Sequence, residues 1–424
     1  MQNSLTKKLG LTLGAMAMAV TSLFTATDAE AVPAFARQTG MSCNSCHFQG
    51  FPSLNGMGRS FRAGGYTMKG TLADIEGSET EPMSLPTVMP LAIFWKAYYV
   101  TSIKDEGTAA ELSELHWMDE WVLFAAGRLA ADTGFLFEIG DGAATNSKLV
   151  FNVAQLGSTS ISVIPWSTDA AGSTFGMELM NTGTQRSQRP IEKMKAMTGA
   201  RKYTNGEGTG LSIVASDLST GWWLNFSQWG PVHNGGEGDL GVNLLGGMAT
   251  SIRAGYFFDL AGFDTGIAYL GQSGTVKAGT SSADQDLDIA VGATIIDFQM
   301  QGQVGGSDLG VYLSMVTIPD EFDTAADIDA TNGYVMGGAT NTGLLVKYSA
   351  TPRVHVFYGT NSGTDSSLLK ENYGDNDSGS ESYSVVGAHY MLAQNARLVA
   401  ESYTEKVGDA DASSSMTLGW MVGF

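Results

Sequence analysis

From about residue 89 to the C-terminus, apolar and polar positions alternate residue by residue in short runs. Leu91, Ile93 and Trp95, continued by Ala97, Tyr99 and Thr101, stand against Ala92, Lys96 and Tyr98. Trp222, Leu224 and Phe226 stand against Trp223, Asn225 and Ser227, and Val354, Val356 and Tyr358 against Arg353, His355 and Phe357. A period of two sends the two sets to opposite faces of a β-strand. Strand-like segments recur at Lys148–Gln155, Leu211–Asp217, Ser251–Phe258, Asp264–Gln272, Asp288–Ile296 and Leu344–Ser349. Tight turn signals separate some neighbours: Asp132-Thr133-Gly134, Ala350-Thr351-Pro352 and Gln394-Asn395. Longer polar stretches separate others: Thr182–Gly208, Gly230–Gly241, Thr275–Asp286, Pro319–Gly333 and Asn361–Ser382.

Short turns on one side and long loops on the other are the pattern of a bacterial outer-membrane barrel. The C-terminus strengthens it. Met416, Leu418, Trp420, Val422 and Phe424 alternate with Thr417, Gly419, Met421 and Gly423, and the chain ends on an aromatic. Roughly 335 residues at about 21 per strand and connection predict about 16 strands, an even number as such barrels require. Composition agrees: 54 glycines, 19 phenylalanines, 14 tyrosines and 8 tryptophans in 424 residues, without a collagen period. Beyond the N-terminal leader no apolar run reaches the roughly 18 residues of a membrane helix. The expected fold is all-β, a transmembrane antiparallel β-barrel over residues 89–424.

The N-terminus carries different signals. Lys7 and Lys8 precede an apolar run from Leu9 to Thr25, and Ala29-Glu30-Ala31 is a small-x-small cleavage site. Residues 1–31 are therefore expected to be a signal peptide, cleaved between Ala31 and Val32. Twelve residues later comes Cys43-Asn44-Ser45-Cys46-His47, holding the two cysteines of the chain. Two thiols at this spacing can add across both vinyl groups of one haem, and the adjacent imidazole can ligate its iron. Export favours this reading over zinc, which would need a second ligand pair. One covalent haem c is expected, with Cys43 and Cys46 as attachments and His47 as an axial ligand.

The unit around the motif spans about 32–81, followed by Pro82, Pro86 and Pro90, which suggest an extended connector over 82–88. Some fifty residues cannot bury much core alone. Haem would supply the missing apolar mass, packed by Phe35, Phe48, Phe51, Leu54, Phe61 and Tyr66. Pro52-Ser53 predicts a helix start with Leu54, Met57 and Phe61 on one face, and Gly64-Gly65 its end. So small an α-helical domain is expected to act as a plug in or against the barrel.

The stretch Val32-Pro33-Ala34-Phe35-Ala36-Arg37-Gln38-Thr39-Gly40, the C-x-x-C-H, Phe51-Pro52-Ser53-Leu54-Asn55 and Gly58-Arg59-Ser60-Phe61-Arg62-Ala63-Gly64-Gly65-Tyr66-Thr67-Met68 resembles one family. It is similar to the fused monohaem cytochrome c–porins of iron-oxidising bacteria, which are outer-membrane Fe(II)-oxidising cytochromes. The close match covers Pro33 to Met68; the barrel is matched in kind. The resemblance implies a Gram-negative outer-membrane protein whose barrel holds the haem. It implies extracellular Fe(II) as electron donor, a periplasmic c-type cytochrome as acceptor, and outer-membrane lipid around the barrel. It also implies Met68 as the second axial ligand, and thioether ligation raises a haem's potential. Met57 is the alternative, and Met41 stands too near the attachment loop to swing across the ring. Arg37, Arg59 and Arg62 are possible partners of the haem propionates.

Charge adds one element. Asp and Glu outnumber Lys and Arg by 43 to 23. Acidic clusters fall in the expected loops at Glu237/Asp239, Asp284/Asp286/Asp288, Asp320/Glu321/Asp323, Asp327/Asp329 and Asp375/Asp377. A negative vestibule would concentrate a divalent cation. The segment 184–202 is basic, with Arg186, Arg189, Lys193, Lys195, Arg201 and Lys202 in it. No carboxylate–histidine set has metal-site spacing, so no permanent iron site is expected; His116, His233, His355 and His389 are expected in strands or loops. No nucleophile triad, phosphate loop or nucleic-acid module is present. Two other functions use the same parts: an outward electron conduit to an extracellular acceptor, and a solute porin plugged by a haem domain.

Overall fold

The computed structural model describes residues 34–68, 74–75, 85–86, 90–104, 111–140, 143–169, 172–182, 208–230, 247–278, 287–318, 339–365, 380–408 and 412–424. The leader with its Ala31–Val32 junction, His233, the basic segment and the acidic loop clusters other than Asp288 lie outside the described residues. Two short strands, β1 (Asp74–Ile75) and β2 (Leu85–Pro86), pair antiparallel where the domain end and connector were expected.

The barrel begins with β3 (Leu91–Lys104), β4 (Glu111–Ala130), β5 (Thr133–Gly140), β6 (Ala143–Leu156) and β7 (Thr159–Thr168). It continues through β8 (Gly208–Asp217), β9 (Trp222–Gly230), β10 (Ala249–Leu260), β11 (Phe263–Ala278), β12 (Leu287–Val304) and β13 (Ser307–Ile318). β14 (Ala339–Thr351), β15 (Val354–Asp365), β16 (Ser380–Ala393), β17 (Ala396–Val407) and β18 (Ser413–Gly423) complete it. Each strand pairs with its chain neighbours, and β18 returns to β3, closing a 16-strand antiparallel barrel. Phe424 and Ile93 exchange backbone hydrogen bonds of 2.6 and 2.8 Å at the seam. Closure pairs the backbone groups that an open edge would expose, the condition for strands in a bilayer.

The alternation has a physical consequence here that inverts a water-soluble protein. Ile252, Ile267, Ile296, Val356, Val386 and Leu418 are exposed on the outer face, while Ser251, Arg253, Asp297, Gln299, His355 and Thr417 are buried inside. An apolar exterior around a polar interior suits lipid outside and a hydrated or plugged lumen inside. Tight turns join β4–β5, β6–β7, β8–β9, β10–β11, β12–β13, β14–β15 and β16–β17, all at one end.

The N-terminal helices α1 (Ala34–Thr39), α2 (Cys43–Cys46) and α3 (Gly56–Ala63) fill the lumen at that tight-turn end. Their bonds go to strand ends and turns around the ring. Arg37 donates to the carbonyl of Leu91, and Asn152 Nδ2 donates to Gly64 O at 2.9 Å. Arg59 reaches Asp264 at 2.5 and 2.7 Å beside the β10–β11 turn. Gln49 Nε2 donates to Asp308 O at 3.0 Å, and Lys347 Nζ donates to Gln49 O at 2.9 Å. Gly65 packs so closely on Gly134 that a Cβ at Gly134 would lie 1.7 Å from the Gly65 carbonyl oxygen.

α3 starts later than the Pro52-Ser53 signal suggested. Asn55 caps it, its side chain accepting from Gly58 N at 3.0 Å, because a short polar side chain satisfies a free helical N–H. Leu54 is left outside the helix and bridges to His47. Met57 faces outward, so the buried face is Gly58, Arg59, Phe61 and Ala63 rather than a Leu54–Met57–Phe61 stripe.

A second inward element has no counterpart in the sequence reading. Residues 172–182, ahead of the polar stretch that was expected to begin at Thr182, are buried throughout inside the barrel. Arg253 of β10 holds the segment, contacting Glu178 Oε2 at 2.9 Å and pairing also with Asp297 of β12. Asn225 Nδ2 donates to Met177 O at 2.9 Å.

Candidate functional site: the cavity at the C-x-x-C-H

The motif forms a single helical turn, α2, with Cys43 N–H donating to Gln394 Oε1 at 3.2 Å in the β16–β17 turn. Both cysteines are free, and burial raises the pKa of each thiol. Gly58 of α3 crosses directly over the motif: a Cβ there would stand 2.2 Å from the Cys46 carbonyl oxygen. Glycine is needed at this close approach.

His47 is oriented by its backbone surroundings. Its Nδ1 lies 3.2 Å from the carbonyl oxygen of Ser53. A carbonyl only accepts, so Nδ1 carries the proton and Nε2 keeps a lone pair for a metal. Desolvation lowers the imidazole pKa to about 4, which favours the neutral ligand form. The Phe51 ring meets the imidazole edge at 5.5 Å.

Cys43, Cys46 and His47 all border one cavity of about 810 Å³, lined by the N-terminal helices, the inward segment and the barrel wall. Cofactor pockets typically run to roughly 300–1,000 Å³. Phe35, Phe51, Leu54, Phe61 and Tyr66 line it as expected. Phe35 stacks on Tyr66 at 4.6 Å and meets Phe61 edge-on at 5.2 Å, giving one aromatic wall. Phe48 does not line the cavity; its N–H donates to Ser53 O at 2.8 Å, bracing the His47 hairpin.

The remaining expected residues separate. Arg62 lines the cavity, whereas Arg37 and Arg59 face the barrel, Arg59 being buried between Asp264 and the Phe257 ring at 4.1 Å. Met68 packs against the core cluster to which Phe61 and Tyr66 belong and does not border the cavity, and Met57 is exposed. The cavity's methionines are Met41, Met180, Met391 and Met421. His116, His355 and His389 lie in β4, β15 and β16. Among the described residues no group of three or more His, Cys, Asp or Glu could hold a metal ion.

Several cavity residues escaped the sequence reading. Lys148 and Arg397 sit on inward faces of β6 and β17, and Asn181 belongs to the inward segment. Charged side chains on the polar face of a barrel strand were the available signal for the first two. Asn181 had none, since its role depends on a loop folding inward. Asp119, Glu120, Glu138 and Asp169 border the part of the cavity away from the tight turns, with Lys96 held between Asp119 and Glu120. Two free thiols, an imidazole with its Nε2 available, an aromatic wall and cations beside the cavity together suit a covalently attached haem with acidic propionates.

No protein-family model matches the sequence, and comparison with curated proteins yields no relative. Solved structures share the fold. OprB of Pseudomonas putida, in its high-pH structure, superposes with a TM-score of 0.52 at 10% identity, covering 79% of this chain and 94% of that one. The outer-membrane channel DcaP of Acinetobacter baumannii gives 0.47 at 12% identity over 79% and 96% of the two chains. The anion-selective porin from Comamonas acidovorans gives 0.45 at 10% identity over 79% and 98%. What this chain has in common with OprB is the barrel: it is a closed, 16-strand, porin-like outer-membrane fold.

Proposed function

We propose that the protein is an outer-membrane c-type cytochrome–porin that oxidises extracellular Fe(II) at a single haem and delivers the electron to a periplasmic c-type cytochrome. The observation that carries this reading is the meeting of Cys43, Cys46 and His47 on one cavity inside a membrane-type barrel. Cys43 and Cys46 would hold the group through thioethers, and His47 through Nε2. Bound there, haem c supplies a one-electron iron couple. Phe35, Phe61 and Tyr66 exclude water from one side of the site. Short turns face the periplasm in bacterial barrels, so α2 and the Gln394 turn lie on the side a periplasmic carrier reaches. Asp119, Glu120, Glu138 and Asp169 give the other side a negative wall, which favours a divalent cation as donor. The iron and resemblance parts of the reading rest on the Pro33–Met68 pattern.

A solute porin plugged by its N-terminal segment is the second reading, favoured by the fold common to this chain and OprB. One preparation separates the two. The full chain is produced with c-type haem maturation, its mass and haem content are measured, and it is titrated anaerobically with Fe(II) while absorbance follows reduction. One haem on Cys43 and Cys46, reduced by Fe(II), is the expected result. A haem-loaded chain that Fe(II) leaves oxidised refutes iron oxidation, and appreciable solute flux through it supports the porin reading.

A further inference from the structure

We infer that Lys148, together with Arg62, clasps the propionate carboxylates of the haem, so that the barrel wall itself supplies a binding residue for the plug's cofactor. The inference rests on the reading above and names a residue outside the N-terminal domain. Lys148 is 2% exposed, on the inward face of β6. Its Nζ donates to one acceptor, the carbonyl of Phe175 at 2.9 Å, and stands 4.4 Å from the Phe175 ring and 5.8 Å from the Tyr66 ring. An ammonium carries three donors.

Three other buried cations of the plug and barrel sit against carboxylates. Lys96 lies between Asp119 and Glu120, Arg59 against Asp264, and Arg253 between Glu178 and Asp297. Lys148 makes no ion pair among the described residues, and it lines the cavity. Burying a charge without a counter-charge is costly. Arg62 borders the same cavity from α3 and is close enough to act on Lys148 electrostatically. Two cations converging on one space favour an anion between them, and a carboxylate can accept from both. A haem propionate has that chemistry. The Phe175 carbonyl on Lys148 would also tie the haem to the inward segment 172–182.

The test is the midpoint potential of the haem-loaded full chain in detergent, after haem content has been measured. A cation beside the haem favours the ferrous state, so Lys148→Gln is expected to lower the potential, Lys148→Glu to lower it further and Lys148→Arg to restore it. Lys347→Gln is the control: Lys347 donates to Gln49 O and does not line the cavity, so the potential stays at the wild-type value. Lys148→Met, which fills the same space without charge, gives the same readout if Gln impairs folding. Haem-loaded Lys148→Gln or Lys148→Met with the wild-type potential overturns the clasp. Wild-type protein that takes up no haem instead overturns the cytochrome reading beneath it.

Discussion

Asn181 offers the sharpest test of how the His47 hairpin is held. Its side chain binds both backbone groups of Leu54: Oδ1 accepts from Leu54 N–H at 2.7 Å, and Nδ2 donates to Leu54 O at 2.9 Å. Leu54 is the residue that bridges to His47, and Asn181 N–H in turn donates to Gln299 Oε1 of β12 at 2.7 Å. Asn181→Ala removes both bonds and leaves the Leu54 N–H and C=O without partners. Each such group costs about 1–3 kcal/mol, and because Leu54 is half-buried the lower end applies, about 2 kcal/mol for the pair. At about 1.4 kcal/mol per tenfold, the hairpin should open about 30-fold more often. Hydrogen–deuterium exchange of the peptide containing Leu54 and Asn55 measures that opening directly. The expected result is faster exchange confined to this peptide, with the barrel strands unchanged. Exchange equal to wild type, or accelerated equally throughout the barrel, would show that Asn181 is not the clamp.

Two further predictions concern neighbouring features. Gly58→Ala places a methyl 2.2 Å from the Cys46 carbonyl oxygen and 3.0 Å from Leu54 Cδ2, so α3 and the motif must part, at about 1–3 kcal/mol for overpacking. Haem-to-protein ratio should fall for Gly58→Ala and hold for Gly56→Ala, whose nearest neighbours would be at 3.6 and 3.7 Å; equal ratios would contradict the close crossing. Arg253→Met leaves Glu178 and Asp297 buried without their cation, costing roughly 3–5 kcal/mol at neutral pH. Burial already raises the Glu178 pKa above its ordinary 4.5, with Arg253 opposing the rise. A carboxyl with a raised folded-state pKa gives its full stability below the unfolded value and loses it as pH climbs through the folded one. Unfolding of the variant should therefore be easiest at neutral pH and recover in acid, and a pH-independent loss would refute this account.

The site was legible to the extent that its chemistry is local. C-x-x-C-H needs its thiols and imidazole within five consecutive residues, so Cys43, Cys46 and His47 could be found without a fold. The aromatic wall of Phe35, Phe61 and Tyr66 was also visible, because the large apolar residues of so short a flanking stretch are the ones at hand to pack a cofactor. Arginine roles were not legible. Arg37, Arg59 and Arg62 look alike in sequence, and only the barrel decides that Arg59 turns to Asp264 while Arg62 borders the cavity. The same holds for methionine: twenty are present, and those at the cavity come from the attachment loop, the inward segment and two distant strands.

What the sequence by itself determined is the barrel, its inside-out polarity and the thiol–imidazole motif. A period-two pattern is a property of one strand and its two solvents, and closure follows when sixteen such strands must leave no edge in lipid. What only the tertiary structure decided is where everything else meets. The helices occupy the tight-turn end, residues 172–182 fold inward onto Arg253, and Lys148 of β6 comes to border the same cavity as Arg62 of α3. Such meetings join residues scores of positions apart across a lumen. No local pattern encodes them, because the free energy that selects them is the burial of polar and charged groups against partners supplied by the closed barrel.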